Sequence, residues 1–179
     1  YLIYKNTENC YVQQLLNYGT LCCSGAVEEV DGQIKHLGDP TETAIVYASL
    51  KQGFAKNDLL AQYPKVYEFP FDSDRKLMST ILQDGNTYLV VVKGAFDELA
   101  RRLVAGQDVT EAKNANRQMS VNALRVLGVA YKYIDSFQES MTMEEVESEL
   151  NFLGLVGMID PPREEAKDAV RLCRKAGIK

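Results

Sequence analysis

The 179-residue chain contains one histidine, His36, no stretch of 18 consecutive apolar residues, and no excess of positive charge. Without such a run, nothing in it has the length and apolarity of a membrane-spanning helix, and no secretory leader is expected at its start. Lys plus Arg number 20 against 25 Asp plus Glu, for a net charge of −5. That balance argues against broad, sequence-indifferent binding to nucleic acid or to an anionic membrane, though it leaves room for a local basic pocket. The four cysteines (Cys10, Cys22, Cys23, Cys173) form no C-x-x-C pair. Neither a zinc site nor a disulfide framework is supported, and free thiols, buried or half-buried, in a reducing compartment are expected.

Several catalytic signatures are absent as well. The sequence has no G-x-x-x-x-G-K-[ST], no G-x-G-x-x-G, no H-E-x-x-H and no G-x-S-x-G. P-loop, Rossmann, zinc-protease and nucleophile-elbow chemistries are thereby excluded. A Ser-His-Asp system would rest wholly on His36, whose neighbours offer no partner. No internal repeat or low-complexity segment is present.

What remains is a chain with 46% apolar and 25% charged residues, enough for a core and a solvated surface. Residues 10–23 carry a helical apolar pattern, and 26–37, with Asp31-Gly32 at the centre, read as a loop or small hairpin. A helix opens at Asp39-Pro40. Strands are predicted over 65–71, 77–83 and 87–93, the last two joined by Asp84-Gly85-Asn86. Helices follow over 95–105 and 110–124, then a strand over 125–134. Thr142 and Glu145 form a capping box, 151–159 reads as an apolar strand, and 164–176 as a last helix. Hairpin-linked strands mixed with helices, without βαβ alternation, predict an α+β domain with a mostly antiparallel sheet flanked by helices.

Four segments carry chemistry. Gly38-Asp39-Pro40-Thr41-Glu42-Thr43-Ala44 makes a well-formed helix start, with Asp as N-cap, Pro at N1 and Glu at N3. Capping accounts for every residue there except Thr41, while a functional Glu42 would accept from an exocyclic amine. In Phe69-Pro70-Phe71-Asp72-Ser73-Asp74-Arg75-Lys76-Leu77-Met78-Ser79, strand alternation puts Phe71 on one face with Ser73, among charged neighbours that offer no core. An aromatic ring so placed is a stacking platform for a flat base. Val92-Lys93-Gly94-Ala95 is either a plain turn or a lysine at a pocket rim, where Gly94 lets a ligand approach the backbone. In Ala123-Leu124-Arg125-Val126-Leu127-Gly128-Val129-Ala130, Arg125 and Leu127 share a face, one suited to a phosphate and one to covering a base.

In this order, and with Asp160-Pro161-Pro162-Arg163 closing the series, these motifs resemble the nucleotide-binding region of P-type ATPases, closest to the calcium-pump-like branch. The resemblance covers nearly the whole chain. It implies a cytosolic ATP-binding domain, at the cytoplasmic face of a membrane, in an ATP-driven cation translocase. It also implies adenine contact by Glu42, stacking on Phe71 with Leu127 beside the base, Lys76 and Lys93 lining the pocket next to Gly94, and Arg125 at the phosphates. Thr41 is a further candidate. The branch pattern has an arginine two residues after the stacking phenylalanine, where this chain has Ser73. Arg75, four residues from Phe71 along a strand, is the candidate substitute.

The family's phosphorylated aspartate, in D-K-T-G-T, does not occur here, nor do the T-G-D and G-D-G-x-x-N-D motifs that bind Mg2+. No catalytic residue and no metal ligand is therefore expected in the chain, which should bind ATP without hydrolysing it. Mg2+ would be held mainly through the phosphorylation domain. The implied partners are ATP and the phosphorylation, actuator and transmembrane domains of the same polypeptide, with no nucleic acid and no direct membrane contact. Residues 1–159 are read as the nucleotide-binding domain and 160–179 as a hinge (Asp160, Pro161, Pro162, Arg163) with the first helix of the phosphorylation domain, so that the chain looks cut from something longer. The competing reading is a regulatory or interaction module of the same fold that binds no nucleotide, with Ser73 as its support.

Overall fold

The computed structural model describes residues 9–30, 32–159 and 164–178. Its centre is one antiparallel sheet of β3 (Lys65–Asp72), β4 (Leu77–Asp84), β5 (Thr87–Gly94), β6 (Arg125–Ile134) and β7 (Asn151–Met158), arranged in chain order. A separate ribbon pairs β1 (Ala26–Val30) with β2 (Gln33–Leu37). The helices are α1 (Asn9–Leu21), α2 (Pro40–Lys51), α3 (Lys56–Gln62), α4 (Phe96–Ala100), α5 (Thr110–Val121), α6 (Met143–Val146) and α7 (Glu164–Lys175). The expected α+β class and antiparallel sheet are those observed.

Each face of the sheet is covered. On one, Met78, Leu82, Leu89, Val91, Val129 and Val156 pack against Leu15, Tyr18 and Leu21 of α1, Ile45 and Val46 of α2, and Leu59 of α3. On the other, Leu77, Ile81, Val90, Val92 and Ala130 meet Leu99 of α4, with Val146 and Leu150. The central strands β4 and β5 are thus buried on both sides, which is why they read as apolar runs without alternation. Full burial of each such aliphatic side chain contributes about 1.5–3 kcal/mol.

Local signals account for most boundaries. Asp84 pairs with Thr87, leaving Gly85 and Asn86 as a two-residue loop. Gly85 takes φ 59° at the first loop position, the placement of a type II′ turn. Thr142 and Glu145 form the expected capping box at α6. Three expectations are corrected. The helix over 95–105 stops at Ala100, because the following segment turns to bridge Leu103 to Leu150. The helix over 110–124 stops at Val121, where Ala123 adopts φ 58° and ends it. Helix α3 was not expected; its seven residues bury only Leu59 and carry too little periodicity to read.

The described residues of α7 are exposed, including Val170 at 52% and Leu172 at 64%. Asp160, Pro161, Pro162 and Arg163, the expected hinge, lie outside the described residues.

Candidate functional site

A hollow of about 510 Å³ opens at the end of the sheet where β5 finishes, β6 begins and α2 starts. That volume is within the usual range for small-molecule sites. Thr41, Glu42, Phe71, Lys76, Lys93, Gly94, Arg125 and Leu127 all line it. Eight of the ten candidate positions therefore converge from five elements or their ends. Ser24, Asp39, Met78, Ala95 and Val126 complete the lining. Of these, Met78 was the most legible beforehand: it pairs with Lys93 across β4 and β5, so the two side chains share a face.

The floor is an ion pair. Lys93 Nζ lies 2.9 Å from Glu42 Oε1 and 3.1 Å from Cys23 Sγ, with the lysine side chain 4% exposed and the glutamate 16%. Glu42 Oε2 accepts from the backbone N–H groups of Ser24 at 3.0 Å and Gly25 at 2.9 Å. Burial opposes ionisation of Glu42. The Lys93 ammonium and these two N–H donors outweigh it, and its pKa falls below the ordinary carboxylate value. Burial likewise opposes the charge on Lys93, but Cys23 and Cys22, which carry charge only as thiolates at high pH, and the Glu42 carboxylate reverse the balance and raise its pKa. Burial pushes the Cys22 thiol up to about 12 and raises that of Cys23, so both are neutral thiols.

The α2 N-terminus therefore divides its tasks differently from the sequence expectation. Asp39 Oδ1 accepts from Thr41 N–H at 2.8 Å as the N-cap, and Pro40 sits at N1. Glu42 does not complete a capping box; its carboxylate joins α2 to the α1–β1 connection and to β5. Thr41 is tied across the mouth, its Oγ1 accepting from Arg125 Nη1 at 2.7 Å.

Phe71 reaches the hollow through an irregularity in β3. Phe69 pairs with Ser79 and Asp72 with Leu77, two residues of β4 that point to the opposite face. An extra residue between Phe69 and Asp72 turns Phe71 to the cavity side, where its ring is 62% exposed. Simple alternation from Phe69 would have put it on the opposite face of the sheet. β3 ends at Asp72, so Ser73 and Arg75 lie in a turn and the four-residue strand spacing expected between Phe71 and Arg75 does not exist. Neither lines the hollow. Ser73 is exposed, and the Arg75 guanidinium bonds Glu147 and the Pro70 carbonyl.

Gly94 serves the protein's own backbone. A Cβ there would sit 2.2 Å from the Lys76 carbonyl oxygen, which accepts from Ala95 N–H at 3.0 Å. Lys76 itself holds φ 56°, a left-handed conformation that costs a non-glycine residue about 1–2 kcal/mol. Its side chain and that of exposed Arg125 leave cationic charge at the rim, since the charge of Lys93 is matched by Glu42. The arrangement thus offers one free aromatic face, an apolar wall at Met78 and Leu127, and two cations, a set suited to a flat base joined to an anionic group.

Fold and hollow together define a class: an α+β domain in which an antiparallel sheet carries an aromatic, cation-rimmed ligand cavity at one end. The profile of the family described as P-type ATPase, cytoplasmic domain N matches residues 11–165. The chain is 40% identical over 181 residues to the calcium-transporting ATPase of Bacillus subtilis (strain 168), covering 94% of this chain and 20% of that protein. It is 40% identical over 161 residues to a probable cation-transporting P-type ATPase of Mycoplasma pneumoniae (88% and 18% covered). With the sodium/potassium exporting P-type ATPase cta3 of Schizosaccharomyces pombe it shares 36% identity over 177 residues (92% and 17% covered). The chain belongs to the P-type ATPase family, as its cytoplasmic domain N. It spans about a fifth of the length of the curated relatives it matches.

Proposed function

We propose that the hollow binds ATP and that the chain serves as the nucleotide-binding domain of a cation pump, with calcium as the transported ion. The observation that carries this reading is the convergence of an exposed Phe71 ring, the Lys93–Glu42 pair and the rim cations Lys76 and Arg125 in one cavity. Adenine would stack on Phe71 against Leu127 and Met78. Glu42 Oε1 accepts from Lys93 and keeps a lone pair for an exocyclic amine. Lys76 would meet the phosphates, together with Arg125 once it leaves Thr41. The γ-phosphate would point out of the cavity toward an aspartate in a phosphorylation domain beyond residues 1–159, reached through a hinge at 160–163. Among the described residues no group of three or more His, Cys, Asp or Glu is gathered for a metal ion. Mg2+ would be held by the phosphates and that other domain. Calcium is favoured by the relatives from Bacillus subtilis, Bacillus cereus and Lactococcus lactis, which are calcium-transporting ATPases. In this reading the domain works at the cytoplasmic face of the membrane, alongside actuator and transmembrane domains of the same polypeptide.

The test is an ATP titration followed by backbone amide NMR. Saturable shifts at Glu42, Phe71, Lys76, Lys93 and Arg125, with Kd on the order of 0.1–1 mM, are expected. Phe71→Ala should weaken binding at least about fivefold, the lower end of what one stacked base contributes. Absence of shifts at about 10 mM ATP, well above that Kd, would overturn the ATP assignment while leaving the fold intact.

A further inference from the structure

One buried charge touches no part of the cavity. Glu147 follows α6 and its side chain is 0% exposed, on the sheet face opposite the hollow. Its Oε1 accepts from Ser79 Oγ at 2.8 Å and from Arg75 Nη1, and its Oε2 lies 3.4 Å from Arg102 Nη1. Apolar side chains of similar size would serve cohesion as well as a buried ion pair does, so the pair's placement calls for another account.

Arg75 supplies it. Its Nη2 donates to the Pro70 carbonyl at 2.5 Å, in the peptide that leads into Phe71. Its backbone N–H donates to Asp72 Oδ1 at 2.9 Å. Pro70 has no N–H to give to a ladder, and the register of β3 on β4 is broken between Phe69 and Asp72. The stretch that turns Phe71 toward the cavity is therefore weakly held by sheet pairing. The planar fork of Arg75 grips it from behind, and Glu147 fixes the fork. The same turn continues to Lys76, whose left-handed backbone is pinned by Ala95.

We infer that Arg75, anchored by Glu147, is a positioning residue for the nucleotide base: it sets the Pro70–Phe71 peptide from the far face of the sheet and makes no contact with the phosphates. This rests on the nucleotide reading above. It assigns Arg75 a different task from that of an arginine reaching the triphosphate.

The experiment titrates ATP and adenosine separately into the parent chain, Arg75→Lys, Arg75→Met and Arg75→Met/Glu147→Leu, all well below their unfolding midpoints. The double variant guards against misfolding, since it leaves no unpaired Glu147. Both ligands should weaken together, by about five- to tenfold, within the range one stacked base commands. Arg75→Lys should recover stability, because it still neutralises Glu147, without recovering affinity, because an ammonium cannot span Glu147 and the Pro70 carbonyl. In a Phe71→Ala background, Arg75→Met should cause no further loss. Weakened ATP with unchanged adenosine would overturn the inference and return Arg75 to the phosphates. Unchanged affinity for both ligands in folded variants would overturn it too. The Phe71 ring resonances of the ligand-free chain decide independently. They should move in Arg75→Met, and if they stay in place the inference fails even where the parent binds nucleotide. If the parent binds none, the proposed function fails, and the resonances still decide the role of Arg75.

Discussion

Replacing Glu42 by alanine should damage the fold before it damages any binding. The substitution leaves the Lys93 ammonium, 4% exposed, beside only the neutral Cys23 thiol, and strips the acceptor from the Ser24 and Gly25 N–H groups. Breaking one side of a buried ion pair costs about 3–5 kcal/mol. Glu42 is 16% exposed at the edge of a cavity, so water relieves part of this, and about 2–4 kcal/mol is the expected loss. For a chain of this size that lowers the unfolding midpoint by about 5–15 °C, measurable by circular dichroism or urea titration. Glu42→Gln keeps an acceptor for the backbone and should lose about half as much, roughly 1–2 kcal/mol. The pH dependence carries a sign. Because the folded-state pKa of Glu42 lies below its ordinary value of 4.5, its stabilisation is complete above pH 4.5. It is lost as pH falls through the folded value, and Glu42→Gln should flatten that acid limb. A Glu42→Ala chain as stable as the parent within about 0.5 kcal/mol, the scatter of ordinary surface changes, would refute the structural role argued here. If such a chain also lost ATP affinity, Glu42 would be a ligand contact alone.

Other consequences are simpler to check. Gly94→Ala places a Cβ 2.2 Å from the Lys76 carbonyl, backbone against backbone, and should cost about 1–3 kcal/mol in chemical denaturation while displacing the Lys76 amide resonance. Ala123→Gly relieves a left-handed alanine at the end of α5 and should raise stability by about 0.5–1 kcal/mol. In a thiol-titration assay near pH 8, exposed Cys10 and Cys173 should react promptly, whereas buried Cys22, with its thiol at about 12, and Cys23 should react only after unfolding.

The sheet was legible wherever a local signal decided the outcome. The loop at Gly85 and Asn86, the capping box at Thr142 and the strand rich in Val and Tyr over β6 each depend on neighbours a few residues away. The eight candidate positions that line the hollow were legible through the order of motifs that resembles the P-type ATPase family. What stayed hidden depends on distant partners. The engagement of Glu42 by Lys93, 51 residues on, and of Arg75 by Glu147, 72 residues on, has no local trace. The extra residue in β3 also defeats any reading by alternation, since it puts Phe69 and Phe71, two positions apart, on opposite faces of the sheet. Arg75 was misplaced because the strand ends at Asp72: extrapolating it further aims Arg75 at the cavity, and the turn sends it through to the other side.

Strand order in the sheet has a kinetic side. Each strand pairs only with its predecessor and successor along the chain, β3 to β4 and β4 to β5 across short turns, so much of the sheet can form while the polymer loops to be closed are small. The cavity depends on closures of another scale, such as Thr41 to Arg125 across 84 residues, and on docking the α1–α2 layer over a finished sheet. Its formation should therefore fall late in refolding. By the same reasoning, amide protons around residues 24–25 and 39–42 should exchange through partial openings that leave β4 and β5 protected.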